Sequence, residues 1–293
     1  MTEKFSKRCL MVIFALLTAV VFLTNIFTSF LTARAEMPFY DLKPSNISLR
    51  AEFSTDYSKS TEERKSNIYT ASKSLNNTFI DVGGEFSFNR VVGERTEKRG
   101  YKSAKIIVGG KFVDGVGGGV CQVSTTVYNA VLRAGLMVVE YHPHSLPVSY
   151  VQPSFDAMVN SGNADLKFIN NTHNPIIMQT IADGNSITVK IYGEPMKERY
   201  ICQGTIIEYI QPETQEVFDE DGIYPNLYEG ESLIEQYPKR GYKSIGKIIK
   251  TVNGKTVSSK VFRKDKYNAV KMIVIKGKAV RPESELSELT ENL

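Results

Sequence analysis

The sequence predicts an α+β fold in which a central helix carrying a cysteine packs on an antiparallel sheet, followed by a small all-β module. Three observations lead there. A block of helical spacing, about Gln122 to Arg133, is opened by a glycine run (Gly117, Gly118, Gly119) and closed by Gly135. Short runs rich in β-branched and aromatic residues, separated by glycine turns, lie on both sides of it. From residue 205 to 277 β-branched and polar positions alternate without a helical period. The composition, 42% hydrophobic and 23% charged over 293 residues, is globular and excludes a disordered or collagen-like chain. A net charge of +4, with basic residues scattered among acids, argues against nucleic acid as a partner.

Taken in order, Lys4, Lys7 and Arg8 precede an uncharged run over residues 10–31, long enough for a hydrocarbon core that needs roughly 20 residues. Ala33-Arg34-Ala35 has the small-x-small form of a signal peptidase site. Residues 1–35 are therefore read as a signal peptide or an N-terminal membrane anchor through residues 10–31. Both place the rest of the chain outside the cytoplasm, as a single-pass protein of the cell membrane or secreted to the wall. Residues 36–47 form a polar linker, and the first strand runs from Leu49 to Ser54. Thr61 caps an amphipathic helix with Ile68, Ala71 and Leu75 on one face, ended by Asn76-Asn77. Glycine pairs at Gly83-Gly84 and Gly109-Gly110 join short strands. After the central helix come strands over Met137–Tyr141, Pro147–Val151 and Leu166–Asn170. A further pair, Pro175–Ile181 and Ser186–Tyr192, turns at Asp183-Gly184-Asn185. This gives a helix-then-sheet domain over residues 48–194, the β module over 205–277 with a hairpin at Asn253-Gly254, and a mobile acidic tail over 278–293.

Cys121 carries the chemical interest. Unpaired amides in the first turn of a helix, together with the helix dipole, favour a thiolate, the nucleophilic form of cysteine. Backbone amides at Gly119 and Val120 could form an oxyanion site. The three histidines are His142, His144 and His173, and the first two follow the central helix directly. Cysteine at a helix start, histidine on a following strand and then a polar orienter is the order used by papain-like thiol enzymes. Asp156 and Asp165 both stand late enough in the chain to hold the imidazole. Structural readings compete at each position: a Cys121–Cys202 disulfide in an oxidising compartment, a glycine run needed only for packing, and aspartates that cap turns. Cys121 with His142 and His144 would make a zinc site short of the usual ligand number, so no metal and no cofactor is expected.

Several segments in order resemble the VanW family, named from an accessory protein of vancomycin-resistance clusters. They are Gly84-Glu85-Phe86-Ser87-Phe88-Asn89, Arg99-Gly100-Tyr101-Lys102, Gly115 to Asn129, His144 to Val151, Asp156-Ala157 and Asp165-Leu166-Lys167-Phe168. Residues 205–277 resemble the extracellular G-five-type module appended to cell-wall proteins. Gln152-Pro153-Ser154-Phe155 stands where the family carries a glycine-containing turn before the aspartate. The resemblance implies an envelope protein that acts on peptidoglycan stem peptides as an L,D-transpeptidase-like acyl-transferase. Cys121 would be its nucleophile, His144 and Asp156 its further catalytic residues, and Gln122, Ser124 and Ser145 would contact substrate. The alternative is a non-catalytic peptidoglycan-binding or glycopeptide-antibiotic-response protein. The sequence leaves the oligomeric state open.

Overall fold

The computed structural model describes residues 47–280 and residue 282. The signal or anchor segment, all of the linker but Ile47, and most of the acidic tail lie outside the described residues. Among the described residues no helix is long and apolar enough to cross a membrane. The described residues form one compact unit.

That unit is mostly β with few helices. Strand β1 (Ser48–Asp56) leads to helix α1 (Glu62–Leu75), where the Thr61 hydroxyl accepts from the Arg64 amide and Ile68, Ala71 and Leu75 are buried as their spacing required. Next come β2 (Thr78–Ile80), β3 (Glu85–Ser87), the one-turn helix α2 (Phe88–Val92), and the hairpin of β4 (Ser103–Val108) with β5 (Lys111–Val116). In that hairpin Val108 pairs with Lys111, and Gly109 and Gly110 both have positive φ, as a two-residue turn of the primed type demands. The central helix α3 (Val120–Arg133) is followed by β6 (Met137–Glu140), β7 (Lys167–Ile169), β8 (Ile176–Ala182) and β9 (Ser186–Gly193).

The strands form a four-stranded antiparallel sheet, β1-β9-β8-β2, and a three-stranded one, β3-β7-β6. Helix α3 packs on β1 and β9, with α1 alongside, and the core between them holds Val123, Val127, Val131, Ile187, Val189 and Ile191. The Gly83-Gly84 turn does not close a hairpin: β2 pairs with β8 and β3 with β7, so the chain crosses there from one sheet to the other. Pro147–Val151 is no strand; it belongs to a long loop, residues 141–166, bearing three prolines that cannot donate to a ladder.

The second part consists of β10 (Glu198–Ile210), β11 (Thr214–Phe218), β12 (Ser232–Gln236), β13 (Gly241–Val252), β14 (Lys255–Tyr267) and β15 (Met272–Lys276). The sheet β10-β13-β14 is antiparallel and turns at Asn253-Gly254 as predicted; in β11-β15-β12 the β11–β15 pair is parallel.

Candidate active site

The glycine run is fixed by backbone geometry. Gly117 and Gly119 have φ of +90° and +111°, a region that side chains disfavour. A Cβ on Gly118 would stand 2.8 Å from the Ala104 backbone. The run thus turns tightly under β4 and delivers the chain into α3 with no side-chain cap at Gly119. Every residue of the helix from Gln122 to Leu132 is buried, whereas Cys121 is half-buried and faces an open groove of about 1350 Å³.

The long loop supplies the other groups. His144 is buried, and its Nδ1 lies 2.7 Å from Asp156 Oδ2, which also accepts the His144 backbone amide at 2.6 Å. The Cys121 thiol donates to the Val159 carbonyl at 3.3 Å, and the same imidazole is close enough to act on the thiol through hydrogen bonding and charge. His144 therefore stands on a loop, not on the strand that the papain-like order calls for, because Pro143 and Pro147 flank it. Asp156 is the aspartate that reaches it. Asp165 instead accepts from the Ser87 hydroxyl and the Asn89 amide, capping α2. Cys121 and Cys202 are both free thiols. Among the described residues no cluster of His, Cys, Asp or Glu could hold a metal ion, and His142 is bonded to Glu140.

Other residues singled out in the sequence have structural partners. Gln122 is buried; its Nε2 donates to Thr55 Oγ1 and the Asp56 carbonyl, and its Oε1 accepts from Arg64, so its edge at the groove is held rigidly. Ser124 donates to the Ala157 carbonyl at 2.5 Å and ties α3 to the loop that carries Asp156. The Val120 amide is spent on the Gly117 carbonyl at 3.1 Å, which corrects its reading as an oxyanion donor. Gly119 and Ser145 line the groove.

Three groups went unnoticed in the sequence. Arg95, on the segment after α2, lies close enough to Cys121 to act on its charge and donates to Asn89 Oδ1. Arg263 and Tyr267, both on β14, reach Asp156 Oδ1 at 3.2 and 2.5 Å. Arg263, Asp265 and Tyr267 are spaced by two and so share one strand face, a spacing visible in the sequence as an ion pair followed by a tyrosine.

Burial raises the Cys121 thiol, but the hydrogen bond and charge of His144, with Arg95, outweigh it and hold the thiol below its ordinary value. Burial likewise lowers His144, and the hydrogen bonds to Asp156 and Cys121 overcome it, lifting the imidazole to about 9. Desolvation raises Asp156, yet His144, Arg263 and Tyr267 keep it ionised. The arrangement favours a thiolate–imidazolium pair backed by a carboxylate, and such a pair can attack an electrophile and pass a proton to a leaving group. The groove presents Lys59, Arg64, Arg95, Lys105, Lys239 and Lys266 against Asp56, an excess of positive charge.

Residues 63–192 match the family described as VanW like protein, and residues 203–279 match the G5 domain. The chain carries both domains in that order. Over 141 residues it is 43% identical to the uncharacterized protein YoaR of Bacillus subtilis, covering 48% of this chain and 46% of that protein. Over 170 residues it is 28% identical to the vancomycin B-type resistance protein VanW of Enterococcus faecalis, covering 56% of this chain and 59% of that one. The chain thus spans about half the length of these curated relatives. A solved G5 domain of an IgA1 protease is 25% identical, with a TM-score of 0.19, and covers 29% of the chain.

Proposed function

We propose that this is an extracytoplasmic cell-wall protein whose VanW-like domain is a cysteine acyl-transferase acting on peptidoglycan stem peptides. The observation that carries the reading is the linked set at the groove: the Cys121 thiol on His144, and His144 Nδ1 on the buried Asp156 carboxylate. The Cys121 thiolate attacks a stem-peptide carbonyl, forming a C–S bond as the amine of the scissile amide departs. His144, protonated, gives that amine its proton. An amine of a second stem then attacks the thioester, His144 takes its proton, and the thiol is released with a new amide cross-link formed. Water in place of the second amine would make the same site a peptidase. The backbone at Gly119 and the positive end of α3 would stabilise the negative charge that develops on the carbonyl oxygen. The groove's cations suit a peptide bearing free carboxylates, and Ser145 stands at its edge. The carbohydrate and peptide of the wall are the partners that the G5 domain and the likeness to VanW support.

The test is incubation of the protein with muropeptides, alongside Cys121→Ala, followed by mass spectrometry. Cross-linked dimers or trimmed stems formed by the parent protein and absent with the variant are expected. Identical product profiles from the two proteins overturn the reading and leave a binding protein.

A further inference from the structure

The loop bearing His144 and Asp156 is held on one side by α3 and on the other by the second module. Asp156 is 1% exposed and 107 residues distant in sequence from Arg263. Its Oδ2 is taken up by His144, through both the ring and the backbone amide. Its Oδ1 is taken up by Arg263 Nη2 and the Tyr267 hydroxyl, both of β14. Arg263 Nη1 also donates to the Asp156 backbone carbonyl at 2.8 Å. The guanidinium is itself gripped by both oxygens of Asp265, at 2.7 and 2.9 Å, and lies 4.7 Å from the centroid of the Tyr141 ring. A planar fork held on one side by Asp265 can meet a carboxylate on the other in one geometry only.

The loop backbone is clasped in the same way. Ser154 takes a left-handed φ of +62°, in the stretch where a glycine-containing turn is expected, and is held there by the second module. Its amide donates to Tyr267 Oη at 3.1 Å and its hydroxyl pairs with Ser244 at 2.7 Å. Gly204 and Gly246 face each other across β10 and β13, and Arg263 is paired with Gly246 on the next strand. A Cβ on Gly204 would stand 2.1 Å from the Pro153 carbonyl oxygen, and one on Gly246 would stand 3.0 Å from that of Ser154. The bare glycine row lets the loop lie flat on the sheet. On the histidine side, the Asn268 amide donates to the Ser145 carbonyl at 2.8 Å and Lys239 Nζ to the Pro147 carbonyl at 3.1 Å.

We propose that the G5-like module completes the site: Arg263 and Tyr267 are positioning residues that fix the Asp156 carboxylate, and through it the imidazole that faces Cys121. The proposal rests on the reading that Cys121, His144 and Asp156 work as a set. Without Arg263, a carboxylate buried in this way is left against Asp265 with less to balance it and takes up a proton. His144 then loses its anionic partner and Cys121 its imidazolium. The titrating and charged groups that bear on this are His144, Arg95 and Tyr150 around Cys121, and Tyr242 with the Arg263–Asp265 pair around Asp156.

The readout is the pH dependence of Cys121 alkylation by iodoacetamide in the full chain, followed by peptide mass spectrometry, which a purely structural role of Arg263 would not move. Arg263→Met is expected to raise the inflection by about one pH unit or more, a tenfold loss of thiolate below it. Tyr267→Phe should raise it by less, Arg263→Lys should restore part of the shift, and Lys264→Ala, an exposed neighbour, should leave it in place. If Arg263→Met does not fold, Tyr267→Phe decides. An unmoved inflection in folded Arg263→Met, or in Tyr267→Phe where that variant must decide, overturns the proposal. A shifted inflection in a protein that yields no muropeptide product leaves this inference standing and removes the acyl-transferase reading.

Discussion

Replacing His144 by glutamine isolates what sets the reactivity of Cys121. Two opposed effects act on that thiol: burial, which raises it, and the hydrogen bond and charge of His144, which lower it. The same molecule contains a reference for a buried thiol without an imidazole, with only the Arg133 charge opposing its burial. Cys202 lies on β10 with no imidazole beside it, and burial pushes it up to about 11. Losing His144 should carry Cys121 from below its ordinary 9.0 toward the Cys202 value, held back in part by Arg95 and the helix N-terminus. Each unit of that shift is about 1.4 kcal/mol of lost thiolate stabilisation. A more basic thiolate is intrinsically more reactive and recovers about 0.4–0.5 of a log unit in rate per pKa unit, so the inflection is the quantity to measure rather than the rate at one pH. The assay is iodoacetamide alkylation between pH 5 and about 11, resolved by peptide mass spectrometry, with Cys202 as internal control. The expected inflection lies below 9 in the parent protein and above 9 in His144→Gln. An inflection that stays below 9 in the folded variant would refute the assignment of His144 as the group that activates the thiol.

Asp156→Asn removes the carboxylate that lifts His144 to about 9 while leaving the burial that lowers it. The imidazole should then be charged only below about 6.5, as read from the pH dependence of its ring proton resonances, and persistence of charge toward pH 9 would count against Asp156. Gly118→Ala places a methyl group 2.8 Å from the Ala104 backbone and should cost about 1–3 kcal/mol, a fall of roughly 2–10 °C in thermal midpoint. An unchanged midpoint would show that the turn into α3 has slack.

Local chemistry made part of this molecule legible in its sequence. The Gly109-Gly110 and Asn253-Gly254 hairpins follow from φ requirements of two adjacent residues, and α1 from a cap and a 3.6-residue stripe. Three readings failed, one because the deciding strands lie far along the chain and two because backbone close by was used otherwise than expected. The Gly83-Gly84 turn looks like a hairpin, but β2 and β3 gain more by joining β8 and β7, whose register only the assembled sheets supply. His144 was placed on a strand by proximity to β6, although the prolines on either side deny it a ladder. The Val120 amide looked free until the tight glycine turn brought the Gly117 carbonyl onto it.

The sequence by itself pointed to the two-part organisation and to Cys121 and His144 as the candidate pair, because each rests on residue type and on local helix and turn signals. Only the tertiary structure decided between Asp156 and Asp165, and only it brought Arg263 and Tyr267 to the chosen carboxylate from more than a hundred residues away. A buried charge is tolerated only where other elements bring partners to it, and which elements do so is settled by how the sheets pack.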